Sequence, residues 1–251
     1  MSGHSKWSTI KRKKGAADAK RGQVFTRLTR EIVLAAREGG GDAEMNFRLR
    51  LAVERARAQN MPKENIERAI KRGTGESKDG EAFEQIFYEG YGAHGVALMI
   101  ECMTENRNRT IADVRHVLAK SGGSMAEAGS VSWQFRRAAY FSIPAKKANF
   151  DNVFELGVEG GADDVNLEDD SIEIIAPSEN FKILSDRLRA ASIPIEEAEL
   201  RMLPNQDLEL GVEETMQVLR MIENLEDLDD VQNVFSNLRI SEEVMATLEA
   251  E

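Results

Sequence analysis

Apolar residues recur at helical spacing in the first third of the chain and at strand spacing over much of the rest. Val24, Phe25, Leu28, Ile32 and Ala36 mark one face of a helix that starts near Asp18, and the triplet Gly39, Gly40, Gly41 stops it. A second helix is expected from about Asp42 to Gln59, with Leu49, Val53 and Ala56 on its apolar face. Pro62 suits the first turn of a third helix, Ile66, Ala69 and Ile70 give it an apolar side, and Gly73 suits its C-terminal cap. Three short helices of this kind can bury one another.

After GTGESKDG the period changes. FEQIFYEG and GVALMIECMT read as strands, Asn108 to Lys120 as a helix, and SVSWQFRRAAYFSIP as one or two more strands. Next come strand AAYFSIP, helix Phe150 to Gly160, a hairpin through DDVNLEDDSIEIIAP, helix Ser178 to Ala191 and strand PIEEAELRML, which is the βαββαβ order of a ferredoxin-like domain. The remaining helix, Glu213 to Asn224, and the strand DVQNVFSNLRI have no partner of their own, so they are expected to return to the domain begun near residue 77. The expected fold class is α+β in three domains: an N-terminal three-helix domain, then two ferredoxin-like α+β domains with the third inserted in the second. The expected boundaries are a basic arm over 1–21, the helical domain over 22–76, an α+β domain over 77–137 and 206–251, and the inserted domain over 138–205.

Composition narrows the function. With 41% apolar and 31% charged residues in 251, the chain has the make-up of an ordinary folded protein. Cys102 is its one cysteine, which excludes a disulfide framework and a cysteine-rich zinc site; it reads as a buried strand residue. His4, His94 and His116 are isolated, so no metal site is expected, and no cofactor. No apolar run approaches a membrane span, and MSGHSKW lacks the apolar core of a secretory signal, so a cytoplasmic protein with no membrane partner is expected.

The net charge of -11 conceals two halves of opposite sign. Residues 1–75 hold 18 Lys and Arg against 8 Asp and Glu, a net +10, while residues 76–251 hold 15 against 36, a net -21. A basic segment on an acidic body turns its N-terminal part toward polyphosphate. In the first 30 residues nine Lys and Arg face one acid, Asp18, with Trp7 among them as a stacking group and glycines at 3, 15 and 22. Lys6, Trp7, Lys11, Arg12, Lys13, Lys14, Lys20 and Arg21 are therefore candidate nucleic-acid contacts, followed by Arg27 and Arg30 on the first helix.

Arg48 and Arg50, from a second helix that also carries Arg55 and Arg57, are further candidates, although such side chains also pair with Glu54, Glu64 and Glu67. TENRNRTIADVR crowds Asn106, Arg107, Asn108, Arg109 and Thr110 at a strand-to-helix junction, where Arg107 and Arg109 could hold a phosphate; the alternative is capping by Asn106 or Asn108 with the arginines in salt bridges. The glycines of GYGAHG permit a tight turn, and His94 in it has no nucleophile or carboxylate pair nearby. ADDVNLEDD and LEDLDD read as solvated acidic runs. No complete set of acid, base and nucleophile can be named, so no catalytic residue is expected.

The strings GHSKWSTIKRKKGAADAKRG, LRLAVERARAQNMPKENIERAIKRGTGE, YEGYG, TENRNRT and GSVSWQF, in that order along nearly the whole chain, resemble the YebC/PmpR family. The chain departs from the family's usual residues at Phe47, His94, Glu105 and the SMAEAG stretch. The resemblance implies three domains, no enzyme activity and binding to nucleic acid; a monomer is expected. Members are described as DNA-binding transcriptional regulators, while relatives, including a mitochondrial translational activator, are tied to the ribosome and to relief of stalling. Two functions are therefore expected to compete: a DNA-binding transcriptional regulator, and a translation factor that binds ribosomal RNA, to which an extended Lys/Gly-rich arm is well suited.

Overall fold

The computed structural model describes residues 17–76, 83–168 and 170–250. The fold is α+β. Three helices come first: α1 (Ala17–Gly39), α2 (Phe47–Ala58) and α3 (Lys63–Gly73). Ile32, Val33 and Ala36 of α1, Leu49, Ala52, Val53 and Ala56 of α2, and Ile66 and Ala69 of α3 form their common core. The second helix starts five residues later than expected. Asn46 caps it by accepting from the Leu49 amide at 3.1 Å, while its own Nδ2 donates to the carbonyls of Ala35 and Gly40 at 2.7 and 2.8 Å. That buried amide pins the connection, so Asp42 to Met45 are the turn that delivers Asn46 and not the first helical turn.

Gly73 is the last residue of α3 and not its cap; the left-handed residue beyond the helix is Gly75, at φ 79°. A Cβ on Gly73 would lie 2.5 Å from the Val33 carbonyl oxygen and 2.6 Å from the Ala36 Cβ, so the missing side chain is what lets α3 press against α1.

A hairpin follows, β1 (Glu84–Tyr91) and β2 (Ala97–Thr104), paired antiparallel from Glu84 opposite Thr104 to Tyr91 opposite Ala97. Its turn places His94 at φ 60° and Gly95 at φ 79°. Then come α4 (Arg107–Lys120) and the two-residue β3 (Ser124–Met125). After a long excursion the chain returns as β8 (Leu208–Glu209), α7 (Val212–Glu226), β9 (Val231–Ser236), β10 (Leu238–Arg239) and α8 (Glu242–Ala250). The sheet order is β3-β1-β2-β9, and β2 is buried along its full length because it has a strand on each side and α4 and α7 over one face. Leu98, Ile100, Val114, Leu118, Leu219, Ile222 and Leu225 make that core. All of this belongs to one compact unit.

The excursion, Phe135–Leu203, is a second compact unit. It runs β4 (Phe135–Pro144), α5 (Phe150–Glu159), β5 (Asp164–Leu167), β6 (Ser171–Pro177), α6 (Phe181–Ala190) and β7 (Glu197–Pro204), in sheet order β5-β6-β4-β7. This is the ferredoxin-like βαββαβ arrangement. The layer that it interrupts also has four strands with helices packed on them, but it is threaded differently, with a hairpin at its centre.

Candidate nucleic-acid interface

Lys6, Trp7, Lys11, Arg12, Lys13 and Lys14 lie outside the described residues, and of Lys20 and Arg21 only the helical backbone in α1 is described. The other described cations of the helical domain and of the TENRNRT motif, among them Arg68 and Lys71, which were not expected from the sequence, fall into two groups. One is bound up within the fold, and the other is open to solvent.

Arg27 and Arg30 of α1 belong to the first group. Arg30 pairs with Asp230 at 3.0 Å and donates to the Asp229 carbonyl, with its guanidinium 5.5 Å from the Phe83 ring centroid. The Asp230 carboxylate also takes Arg109 at 3.1 Å and the hydroxyls of Thr110 and Thr104 at 2.8 and 3.2 Å. Burial pushes its carboxyl up, but Thr110, Arg109 and Arg30 outweigh this and hold it below the usual carboxylate range. Arg27 sits near Glu226, Asp227 and Asp229; burial draws its guanidinium below its usual range despite those acids. LEDLDD is solvated at Asp227 and Asp229 but not at its last acid, Asp230, which is a buried junction between α1, α4 and the turn before β9. Sequence separation hid this, since Arg30 and Asp230 share no local pattern.

At the start of α4, Asn106 is the cap, accepting from the Arg109 amide at 3.1 Å. Arg107 forms a two-pronged pair with Glu84, whose hydrogen bond raises the guanidinium's affinity for its proton and lowers that of the carboxyl. Both motif arginines thus have carboxylate partners, although their side chains stay 61% and 58% exposed. Asn108 takes no part in the cap.

On α2, Arg48 pairs with Glu38 and donates to Gln85 at 3.1 Å. Arg50 donates to the carbonyls of Ala43 and Glu44 at 2.9 and 2.8 Å, bracing the turn before its own helix, and Arg55 pairs with Glu31 at 3.0 Å. Arg72 on α3 pairs with Glu105 at 2.8 Å and lies over Phe83. What remains is Arg57 on α2 with Arg68 and Lys71 on α3. These are exposed and, among the described residues, free of ion pairs. Arg68 and Lys71, one helical turn apart, stand on the polar side opposite Ile66, Ala69 and Ile70, a position readable from helical spacing.

The other singled-out residues are structural. Cys102 is fully buried, and burial pushes its thiol up to about 12. His94 Nε2 lies 3.0 Å from Gln217 Oε1. Glu89, which sequence reasoning passed over, is a buried carboxylate accepting the amides of Gly129, Val131 and Ser132, the first at 2.7 Å, and so shapes the GSVSW loop. Among the described residues no cluster of three or more His, Cys, Asp or Glu could hold a metal ion, and no helix is long and apolar enough to cross a membrane.

Comparison with known proteins covers nearly the whole chain. Residues 5–76 match the TACO1/YebC protein N-terminal domain, and residues 83–238 match the TACO1/YebC second and third domain. A protein of Desulforapulum autotrophicum is 50% identical over 97% of this chain and 98% of its own length, and one of Geobacter sulfurreducens is 50% identical over 99% and 100%. Both carry the name probable transcriptional regulatory protein. The crystal structure of a conserved hypothetical protein from Aquifex aeolicus superposes with a TM-score of 0.84 at 42% identity, covering 92% of this chain and 95% of the other. On both domain models and on half identity over full length, the chain belongs to the TACO1/YebC family.

Proposed function

We propose that this chain is a non-enzymatic regulator of gene expression that binds nucleic acid through its N-terminal segment. The observation that carries the reading is the separation of charge, +10 over residues 1–75 against -21 over the rest. Within the positive part, Arg57, Arg68 and Lys71 have no carboxylate partner among the described residues, so they are available to phosphate alongside the basic arm. Arg30, Arg48 and Arg50 are committed to carboxylates and carbonyls and Arg27 is largely buried near acids, so in this reading they brace the helices that carry the contacts.

The names of the relatives, probable transcriptional regulatory protein, favour a role in transcription, for which we take duplex DNA as the ligand. The test is ultraviolet crosslinking in cells, recovery of the bound nucleic acid and its sequencing, with binding in vitro followed as salt is raised. Promoter DNA with a steep salt dependence is expected. Ribosomal RNA in its place would assign the protein to translation, and a salt slope near zero would remove the electrostatic mode altogether.

A further inference from the structure

The inserted unit presents a surface that the nucleic-acid reading does not use. Phe150, Phe154 and Val158 recur every fourth residue along one shoulder of α5, where Phe154 and Val158 are 45% and 56% exposed. The Phe150 and Phe154 rings lean on each other with centroids 6.0 Å apart. The buried side of the helix is Val153 and Gly157, and Gly157 admits the Val165 side chain of β5 where a Cβ would lie 2.7 Å away. Leu167, two residues on and so on the same side of β5, is 58% exposed and extends the apolar shoulder. β5 is an end strand of its sheet, with β6 as its one neighbour in the sheet order.

An acidic row, Asp151, Glu155 and Glu159, runs beside the apolar one, each acid a single residue further round the helix. The helix has no lysine or arginine. Glu159 is neutralised by Arg187 at 2.6 Å, but Asp151 and Glu155 make no ion pair among the described residues, and Asp164 adds a further carboxylate at the start of β5.

We propose that this shoulder is a docking site for a basic segment of another protein, one that sets apolar side chains into the Phe154, Val158 and Leu167 surface and lays Lys or Arg along Asp151 and Glu155. Three other occupants fit less well. A nucleic-acid backbone and an anionic membrane would both bring negative charge to uncompensated carboxylates. A second copy placed symmetrically would set the same acidic row against itself. An apolar anchor flanked by complementary charge is also how amphipathic segments are held on exposed helix and strand surfaces generally.

The isotope-labelled full chain, titrated with a synthetic amphipathic peptide of Leu and Lys and with a matched peptide of Leu and Glu, tests this by NMR. The Leu/Lys peptide is expected to shift resonances of α5 and β5, and Phe154→Ser with Val158→Ser to weaken it at least about tenfold. Exchanging Asp151→Lys and Glu155→Lys, which are surface changes, is expected to reverse the preference toward the Leu/Glu peptide. Shifts elsewhere, equal binding of both peptides by the parent chain, or no reversal on charge exchange would overturn the proposal. So would movement of the same resonances on dilution of the protein alone, which would assign the surface to a second copy, or on adding vesicles of anionic phospholipid.

Discussion

Arg30 and Asp230, from opposite ends of the chain, meet at 3.0 Å with side chains only 12% and 8% exposed. The helix that leads in from the basic arm is thereby fastened to the sheet of the first α+β layer. The same carboxylate holds Arg109 and Thr110 at the start of α4, so one acid ties three elements together.

Asp230→Asn is expected to lower stability by about 3 kcal/mol, because it leaves the Arg30 guanidinium buried without its counter-charge. Thermal or urea denaturation measures this. The carboxyl is held below its usual range when folded, so its contribution is present above the unfolded carboxylate's ordinary pKa and is lost as pH falls through the lower folded value. The acid limb of the stability curve should therefore be shallower in the variant than in the parent, and equal limbs would contradict the electrostatic role.

Replacing Arg57, Arg68 and Lys71 together by Ala is expected to reduce the salt slope of nucleic-acid binding by about 2 to 3, at roughly 0.9 for each phosphate that is no longer neutralised. Arg107→Ala with Arg109→Ala is expected to leave the slope nearly unchanged, since those cations already face Glu84 and Asp230. Deleting residues 2–16 should abolish binding while leaving the melting temperature close to the parent's, because that stretch of sequence offers little apolar surface to bury. Fluorescence anisotropy across a salt series, with melting curves on each variant, checks all three.

Gly73→Ala reverses the usual expectation for a glycine in a helix, where alanine is better by about 1 kcal/mol. Here the added methyl would meet the Val33 carbonyl, so α1 and α3 must separate, at a cost of about 1 to 3 kcal/mol. A variant as stable as the parent in urea would show that the approach is not tight.

Cys102 should resist alkylation at neutral pH in the native state and react only on unfolding, since a buried thiol raised to about 12 has almost no thiolate. Iodoacetamide labelling against denaturant, read by mass, should follow the unfolding transition, and fast native labelling would refute it.

What could be read from the sequence was what local chemistry dictates. The three-glycine stop after α1, Pro62 before α3 and the βαββαβ alternation of the inserted unit all sit within a few residues of the structure that they produce. The start of α2 was not readable, because Asn46 is chosen as cap by carbonyls of the preceding helix end. Nor were the partners of Arg30 and Arg109, which come from a distant acidic turn that resembles surface. The final helix, Glu242–Ala250, did leave a local mark: Ser241 precedes it, and Val244 and Met245 are buried. Within the candidate interface, periodicity could place Arg68 on a polar face, but which arginines are already occupied depended on tertiary contacts.

The inserted unit leaves the first α+β layer after Gln134 and rejoins it near Asn205, where the Asn205 amide donates to the Gln134 carbonyl at 2.7 Å and its side chain to the Trp133 carbonyl at 3.0 Å. Exit and return are therefore a single stitch. The host sheet is asked only to close a loop between two adjacent points, and a prefolded insert shortens that loop to the span between its own ends. Phe135–Leu203 pairs its strands and helices within one continuous stretch of chain, whereas α7 and β9 reach β2 only across it. A short turn in place of the insert should leave the host layer able to fold, which makes this stretch a cassette that can be gained, lost or exchanged as a piece.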